Sequence, residues 1–191
     1  MIDTRVTNNG GRRGVRAILL AGILAAVSLS AVAQVARWPE YEVKAHFLPL
    51  FSLFVTWPDT VLQKNDDPLI IGVLGLDPFG EALDNAAKTK EVLQERKIIV
   101  KRARNVKELM PCHIMFICKS EQAQLAEIFA VIEKECVLTV GEMDGFIRLG
   151  GMINFIVKKG KVRFELNPDA AQRKGLKISC QLLSLGVKAD S

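Results

Sequence analysis

Histidine is scarce in this chain, and the motifs that usually announce catalysis are missing. Only His46 and His113 occur in 191 residues. His46 lies in an apolar stretch, and His113 follows Cys112 on an expected strand, where successive side chains point to opposite faces. Neither has a partner at ligand spacing, so a zinc site is not expected. There is no G-x-S-x-G, no G-x-G-x-x-G, and no His set with a nucleophile and an acid. The segment "GLDPFGEA" (75–82) has the glycine spacing of a phosphate loop but carries Glu81 and Ala82 where Lys and Ser/Thr are needed. Asp77 and Glu81 would also repel a phosphate. No cofactor, no metal and no catalytic residue is therefore expected, and an enzyme is the weakest of the readings.

Other shortages set the class. Seven prolines and fourteen glycines are too few for a low-complexity chain, and charged residues make up an ordinary 25%. There is neither an internal repeat nor a domain linker. The long apolar runs end early: after residue 30 none approaches the roughly 20 residues that span a bilayer.

What stands at the start is a targeting pattern. Arg5, Arg12, Arg13 and Arg16 precede the apolar run "AILLAGILAAVSLS" (17–30), and "AVAQ" supplies small residues at Ala31 and Ala33. This is the plan of a cleaved secretory signal peptide over residues 1–33, leaving one domain over 34–191. An uncleaved anchor is the alternative. No Cys follows the cleavage point, which argues against a lipoprotein. Removing residues 1–33 takes away four Arg and one Asp, leaving 22 basic and 20 acidic residues. The basic excess belongs mostly to the leader, and no nucleic-acid partner is expected.

Strand and helix patterns then alternate. Residues 39–57 predict a buried helix that Pro49 kinks or interrupts. The polar loop "QKNDDP" (63–68) leads to strands at 69–75, 97–103, 112–118 and 136–140. Helices are expected at 77–88, capped by Asp77 with Pro78 in the first turn, and at 120–135, capped by Ser120. The second of these carries Leu125, Ile128, Phe129 and Ile132 on one stripe. Helices at 167–175, capped by Asn167, and 179–188 close the chain. Such alternation predicts a three-layer α/β/α sandwich with a mostly parallel sheet and a C-terminal antiparallel hairpin.

The cysteines are Cys112, Cys118, Cys136 and Cys180. Cys112 and Cys118 sit roughly 20 Å apart on one strand, too far for a bond that needs Cα atoms within about 7 Å. Cys112 and Cys136 each begin a strand flanking one helix, which makes them the disulfide candidate; four buried free thiols are the other reading.

The hairpin is "GGMINFIVKKGKVRFELN" (150–167). Turning at Lys159-Gly160 pairs Val157 with Val162, Phe155 with Phe164 and Ile153 with Leu166 on an apolar face. The other face pairs Ile156 with Arg163, Asn154 with Glu165 and Met152 with Asn167. A one-residue slip would set apolar against polar throughout; a bulged turn is the alternative at the tip. Asn154, Arg163 and Glu165 lie within reach of one another. They form either a structural polar network or, with Arg148, Gly150 and Gly151 of the loop "GFIRLGG" (145–151), a ligand or partner surface.

Several segments, in order from Tyr41 to the C-terminus, resemble the YfiR-like family of bacterial periplasmic regulators: "YEVKAHFLPLFSLFVTWP", "LIIGVLGLDPFGEALD", "CHIMFI" and the long block from Leu138 to Ser179. The resemblance implies an α/β sandwich in the periplasm that represses an inner-membrane diguanylate cyclase through its periplasmic sensor region. It also implies relief by an outer-membrane lipoprotein, control of cyclic di-GMP and biofilm formation, and no enzyme activity. A small-ligand binding module reporting to a sensor or receptor is the alternative, and a homodimer is left open. The first helix departs from the family pattern at Pro49, Leu50, Leu53 and Thr56, and Cys180 stands where a Ser is common.

Overall fold

The computed structural model describes residues 40–62, 67–89 and 96–187. The leader over 1–33, the cleavage point, part of the expected polar loop and the end of the last expected helix lie outside them. Helix α1 (Glu40–Phe54) leads into a short strand β1 (Val55–Thr56). A six-stranded sheet follows, built from β2 (Leu69–Leu74), β3 (Ile98–Ala103), β4 (Ile114–Ile117), β5 (Leu138–Gly141), β6 (Ile153–Lys158) and β7 (Lys161–Leu166). Its order is β3-β2-β4-β5-β6-β7, parallel from β3 to β6, with β7 antiparallel to β6.

Both faces of this sheet are covered, which is why β2 and β4 read as unbroken apolar runs. Ile114 and Phe116 point to one face, Met115 and Ile117 to the other. On the first face lie α1, α2 (Glu81–Lys88), α5 (Pro168–Arg173) and α6 (Cys180–Leu185), through Ala45, Leu48, Phe51, Leu83, Ala171 and Leu182. On the second lie α3 (Val106–Leu109) and α4 (Leu125–Val131), through Leu109, Leu125 and Ile128. The three-layer expectation is met. A second, two-stranded ribbon pairs β1 with β8 (Lys177–Ile178) and fastens the end of α1 to the start of α6.

The hairpin register is as the alternation requires. Val157 pairs with Val162, Phe155 with Phe164, Ile156 with Arg163 and Asn154 with Glu165. The tip is a two-residue turn rather than a bulge: Lys158 pairs with Lys161, and Lys159 and Gly160 both have positive φ, 53° and 71°. Four phenylalanines bind the apolar face to α1. Phe51 lies 5.7 Å from Phe155 and 5.5 Å from Phe164 between ring centroids, and Phe47 lies 5.8 Å from Phe164.

Four local expectations need correction. Pro49 does not interrupt α1, which runs unbroken over fifteen residues with Pro49 buried inside it. That helix is one-sided rather than buried all round, since His46 is exposed and Leu53 is 48% exposed. Helix α2 starts at Glu81 with Gly80 as its cap. Asp77 instead accepts from Phe79 N at 2.8 Å and binds Arg102, so its carboxylate is spent on a turn and an ion pair. Ser120 caps nothing. Lys119–Gln124 is a 3-10 turn, and the Ser120 hydroxyl accepts from Leu76 N at 3.0 Å and donates to Glu121 at 2.7 Å. Asn167 does cap its helix, accepting from Ala170 N at 3.0 Å.

Candidate functional site

The loop after β5 carries most of the expected surface. Its glycines answer to Phe146, a fully buried ring that lies between Gly141 and Gly151. A Cβ on Gly151 would fall 2.2 Å from that ring, and one on Gly141 would fall 2.7 Å from it. Phe146 in turn packs on Phe129 at 5.7 Å. Gly151 is therefore a packing residue and is itself buried. Gly150 adopts φ 106° over open space, a conformation costly to other residues.

Asn154 joins this loop to the hairpin. It is buried; its Oδ1 accepts from Met143 N and its Nδ2 donates to Glu165 Oε2, both at 3.0 Å. Half of the expected polar network is thus present. Arg163 stands apart: it is exposed and, among the described residues, makes no hydrogen bond or ion pair. A cleft of about 370 Å³ brings Arg148, Asn154 and Glu165 together with Asp144, Gly145, Ile147 and Ile156. Gly150 faces a different cleft, of about 470 Å³, with Leu149, Met152 and Arg173 along it. Of the six residues expected to share one surface, three share this cleft.

A buried cluster beside it escaped sequence reasoning. Lys44 of α1 binds Glu142, the residue after β5, and Glu40 one turn earlier. The Tyr41 hydroxyl donates to Glu142 Oε1 at 3.0 Å, and the Lys44 ammonium lies 4.8 Å from the Tyr41 ring centroid. Burial, reinforced by the adjacent Glu142 carboxylate, pushes the Tyr41 phenol up to about 12, so it stays a donor at neutral pH. The available signal was the Glu40-Lys44 spacing of i, i+4 inside an otherwise apolar helix. The long-range partner had no local signature.

The near-miss phosphate loop is closed by the protein's own groups. Arg102 of β3 reaches Asp77 at 2.7 Å, Asp84 at 2.7 Å and the Gly80 carbonyl at 3.0 Å. A Cβ on Gly75 would meet the Ser120 hydroxyl at 2.4 Å, so that glycine admits a neighbouring side chain, not a ligand. Among the described residues no group of His, Cys, Asp and Glu is placed to hold a metal ion.

All four cysteines are free thiols. β4 and β5 are adjacent, with Ile114 opposite Leu138, so Cys112 and Cys136 enter the sheet at the same end. Cys112 is buried and Cys136 half-buried.

Among solved structures, the chain is similar to a conserved domain protein from Vibrio cholerae, at 12% identity and a TM-score of 0.49, over 78% of this chain. The chain spans 60% of the length of that structure. No curated protein matches it. The family model described as YfiR/HmsC-like matches residues 41–187, which take in α1, the whole six-stranded sheet, the Gly-rich loop and the hairpin, and the chain belongs to that family.

Proposed function

We propose that this protein is a periplasmic regulator that represses an inner-membrane diguanylate cyclase by binding the cyclase's periplasmic sensor region, and so controls cyclic di-GMP. The observation that carries this reading is family membership over residues 41–187. The secretory leader pattern in residues 1–33 supports export. Among the described residues no helix is long and apolar enough to cross a membrane. An outer-membrane lipoprotein that sequesters the chain would relieve the repression. The reading assigns it contact chemistry and no catalysis.

The test is direct. The mature chain is expected to form a saturable complex with the periplasmic region of a cyclase from the same organism, and deletion of its gene is expected to raise cyclic di-GMP. Unchanged cyclic di-GMP in the deletion strain rejects the cyclase reading.

A second reading is favoured by the cleft of about 370 Å³ with Arg148 at its rim: a small carboxylate-bearing ligand bound there and reported to a sensor. A ligand present at about 100 times its dissociation constant adds roughly 2.7 kcal/mol of stability, visible as a thermal shift. Arg148→Ala should remove that shift, and a shift that persists excludes this cleft.

A further inference from the structure

β5 and β6 end at different heights. The last paired residue of β5 is Gly141, opposite Asn154, whereas β6 continues to Lys158 beside β7. The last four residues of β6 therefore have a neighbouring strand on one side only. The Asn167 N–H donates to the Met152 carbonyl at 2.8 Å, which makes Met152–Asn167 a hydrogen-bonded pair. By alternation, Asn154, Ile156 and Lys158 also turn their backbone groups toward β7, while Phe155 and Val157 turn theirs to the β5 side; the Gly141–Asn154 pairing engages the Phe155 N–H, and the Phe155 carbonyl and both backbone groups of Val157 lie beyond the end of β5. A cleft of about 350 Å³ lies along that side, with Lys119, Glu142 and Asp144 across from Phe155, Ile156 and Val157. Val157 is 54% exposed at its edge.

The tip of the same hairpin is strongly basic. Lys158, Lys159, Lys161 and Arg163 are all exposed, and among the described residues none has a hydrogen-bond or ion-pair partner. Lys158 and Lys161 stand directly opposite each other, an arrangement that costs stability. The acid nearest in β7, Glu165, is held by Asn154. Of the three acids lining the cleft, Glu40 and Glu142 are taken by Lys44, and Asp144 is exposed and makes no ion pair among the described residues. Lysines on an exposed edge keep neutral or basic strands away, a second copy of this hairpin included. The strand they admit is an acidic one.

We propose that the overhanging half of β6, Phe155–Lys158, is a docking edge for an extended acidic segment of a partner protein, added in line with β5. The inference rests on the reading that this protein works through protein contact. Backbone bonds to the Phe155 carbonyl and to the N–H and carbonyl of Val157 supply the affinity of strand addition. Carboxylates on the segment meet Lys158 directly. Lys161 and Arg163 lie two strand spacings away, roughly 10 Å, about one Debye length at moderate salt.

The experiment uses the purified chain and a fluorescein-labelled peptide of alternating Glu and Thr, followed by anisotropy. Comparisons are a Lys-Thr peptide, the Glu-Thr peptide N-methylated at alternate residues, and phosphatidylglycerol vesicles. The acidic peptide is expected to bind saturably. Lys158→Glu with Lys159→Glu should weaken it about tenfold or more. Val157→Pro, which removes one edge donor without changing charge, should weaken it as well, with circular dichroism confirming that both variants fold. Equal binding of the N-methylated peptide, insensitivity to both variants, or binding of vesicles alone overturns the proposal. Capture of a cyclase sensor region that survives the double charge reversal overturns this surface and leaves the repressor reading standing. Peptide binding without cyclase capture does the reverse.

Discussion

Lys44 and Glu142, 98 residues apart in the chain, form a buried ion pair that clamps the start of α1 to the C-terminal edge of β5. The Tyr41 hydroxyl takes a second oxygen of the same carboxylate at 3.0 Å. Loss of Lys44 strands the Glu142 carboxylate in the core, which costs about 3–5 kcal/mol, whereas loss of Glu142 leaves Lys44 paired with Glu40. Lys44→Met should lower the urea midpoint sharply, and Glu142→Gln by less, because Lys44 keeps Glu40. The Lys44→Met, Glu142→Leu double variant should lie well above the Lys44→Met single, because it buries no unpaired charge. Additive losses would show that the two residues are not coupled.

Gly151 answers to Phe146. A methyl group at that position would fall 2.2 Å from the ring, and overpacking of this kind costs about 1–3 kcal/mol. Gly151→Ala should therefore destabilise the fold by that amount, and Phe146→Leu in the same chain should recover part of the loss. Guanidinium titrations of the three variants measure both effects.

Asn154 and Arg163 separate structure from surface. Asn154→Ala leaves the Met143 N–H without its acceptor, at a cost of about 1–3 kcal/mol. Arg163→Ala, exposed and without a partner among the described residues, should leave the melting temperature within error. A large loss from Arg163→Ala would restore it to the polar network.

His113 sets a pH dependence. Its Nδ1 accepts from Ile70 N at 2.9 Å and its Nε2 faces the Val61 carbonyl at 3.2 Å, which fixes the neutral ring with the proton on Nε2. Burial lowers its pKa below the usual value, the Val61 carbonyl and Asp67 opposing and Arg96 assisting. The unfolded chain then takes up a proton before the folded one does. The stability from His113 is complete above about pH 6.5, the unfolded value, and is lost as pH falls from there through the folded value. Urea midpoints between pH 7.5 and 5 should show that decline, and His113→Asn should flatten it.

The thiols should differ in reactivity. Burial pushes Cys112 and Cys118 up to about 12, whereas Cys180 is exposed. Iodoacetamide should label Cys180 first, Cys136 more slowly, and the buried pair only on unfolding. If oxidation forms the Cys112–Cys136 bridge proposed from strand order, non-reducing peptide mapping will find those two peptides linked; a Cys136–Cys180 link would refute it.

The hairpin was readable in full from its residues because a period of two leaves one register that buries Ile153, Phe155 and Phe164 together. Strands β2, β4 and β5 were readable for a related reason: apolar runs of strand length suit a sheet covered on both faces. Asn167 as a cap depended only on its neighbours and held. Ser120 and Asp77 carried the same local signal but were claimed by Leu76, Phe79 and Arg102. A short polar side chain serves whichever donor or cation the fold brings to it, and that choice is made at long range.

Local pattern, then, determined the six main strands, the larger helices between them, the hairpin register and the family, since these follow from periodicity and contiguous motif; β1, β8 and α3 left no such pattern. Tertiary structure alone decided that Lys44 meets Glu142, that Phe146 fills the space left by Gly141 and Gly151, and that Arg163 stands clear of Asn154. It also decided that β6 outruns β5. Each of these depends on where separate elements stop and pack, and a contact across many tens of residues leaves no period in the chain from which to read it.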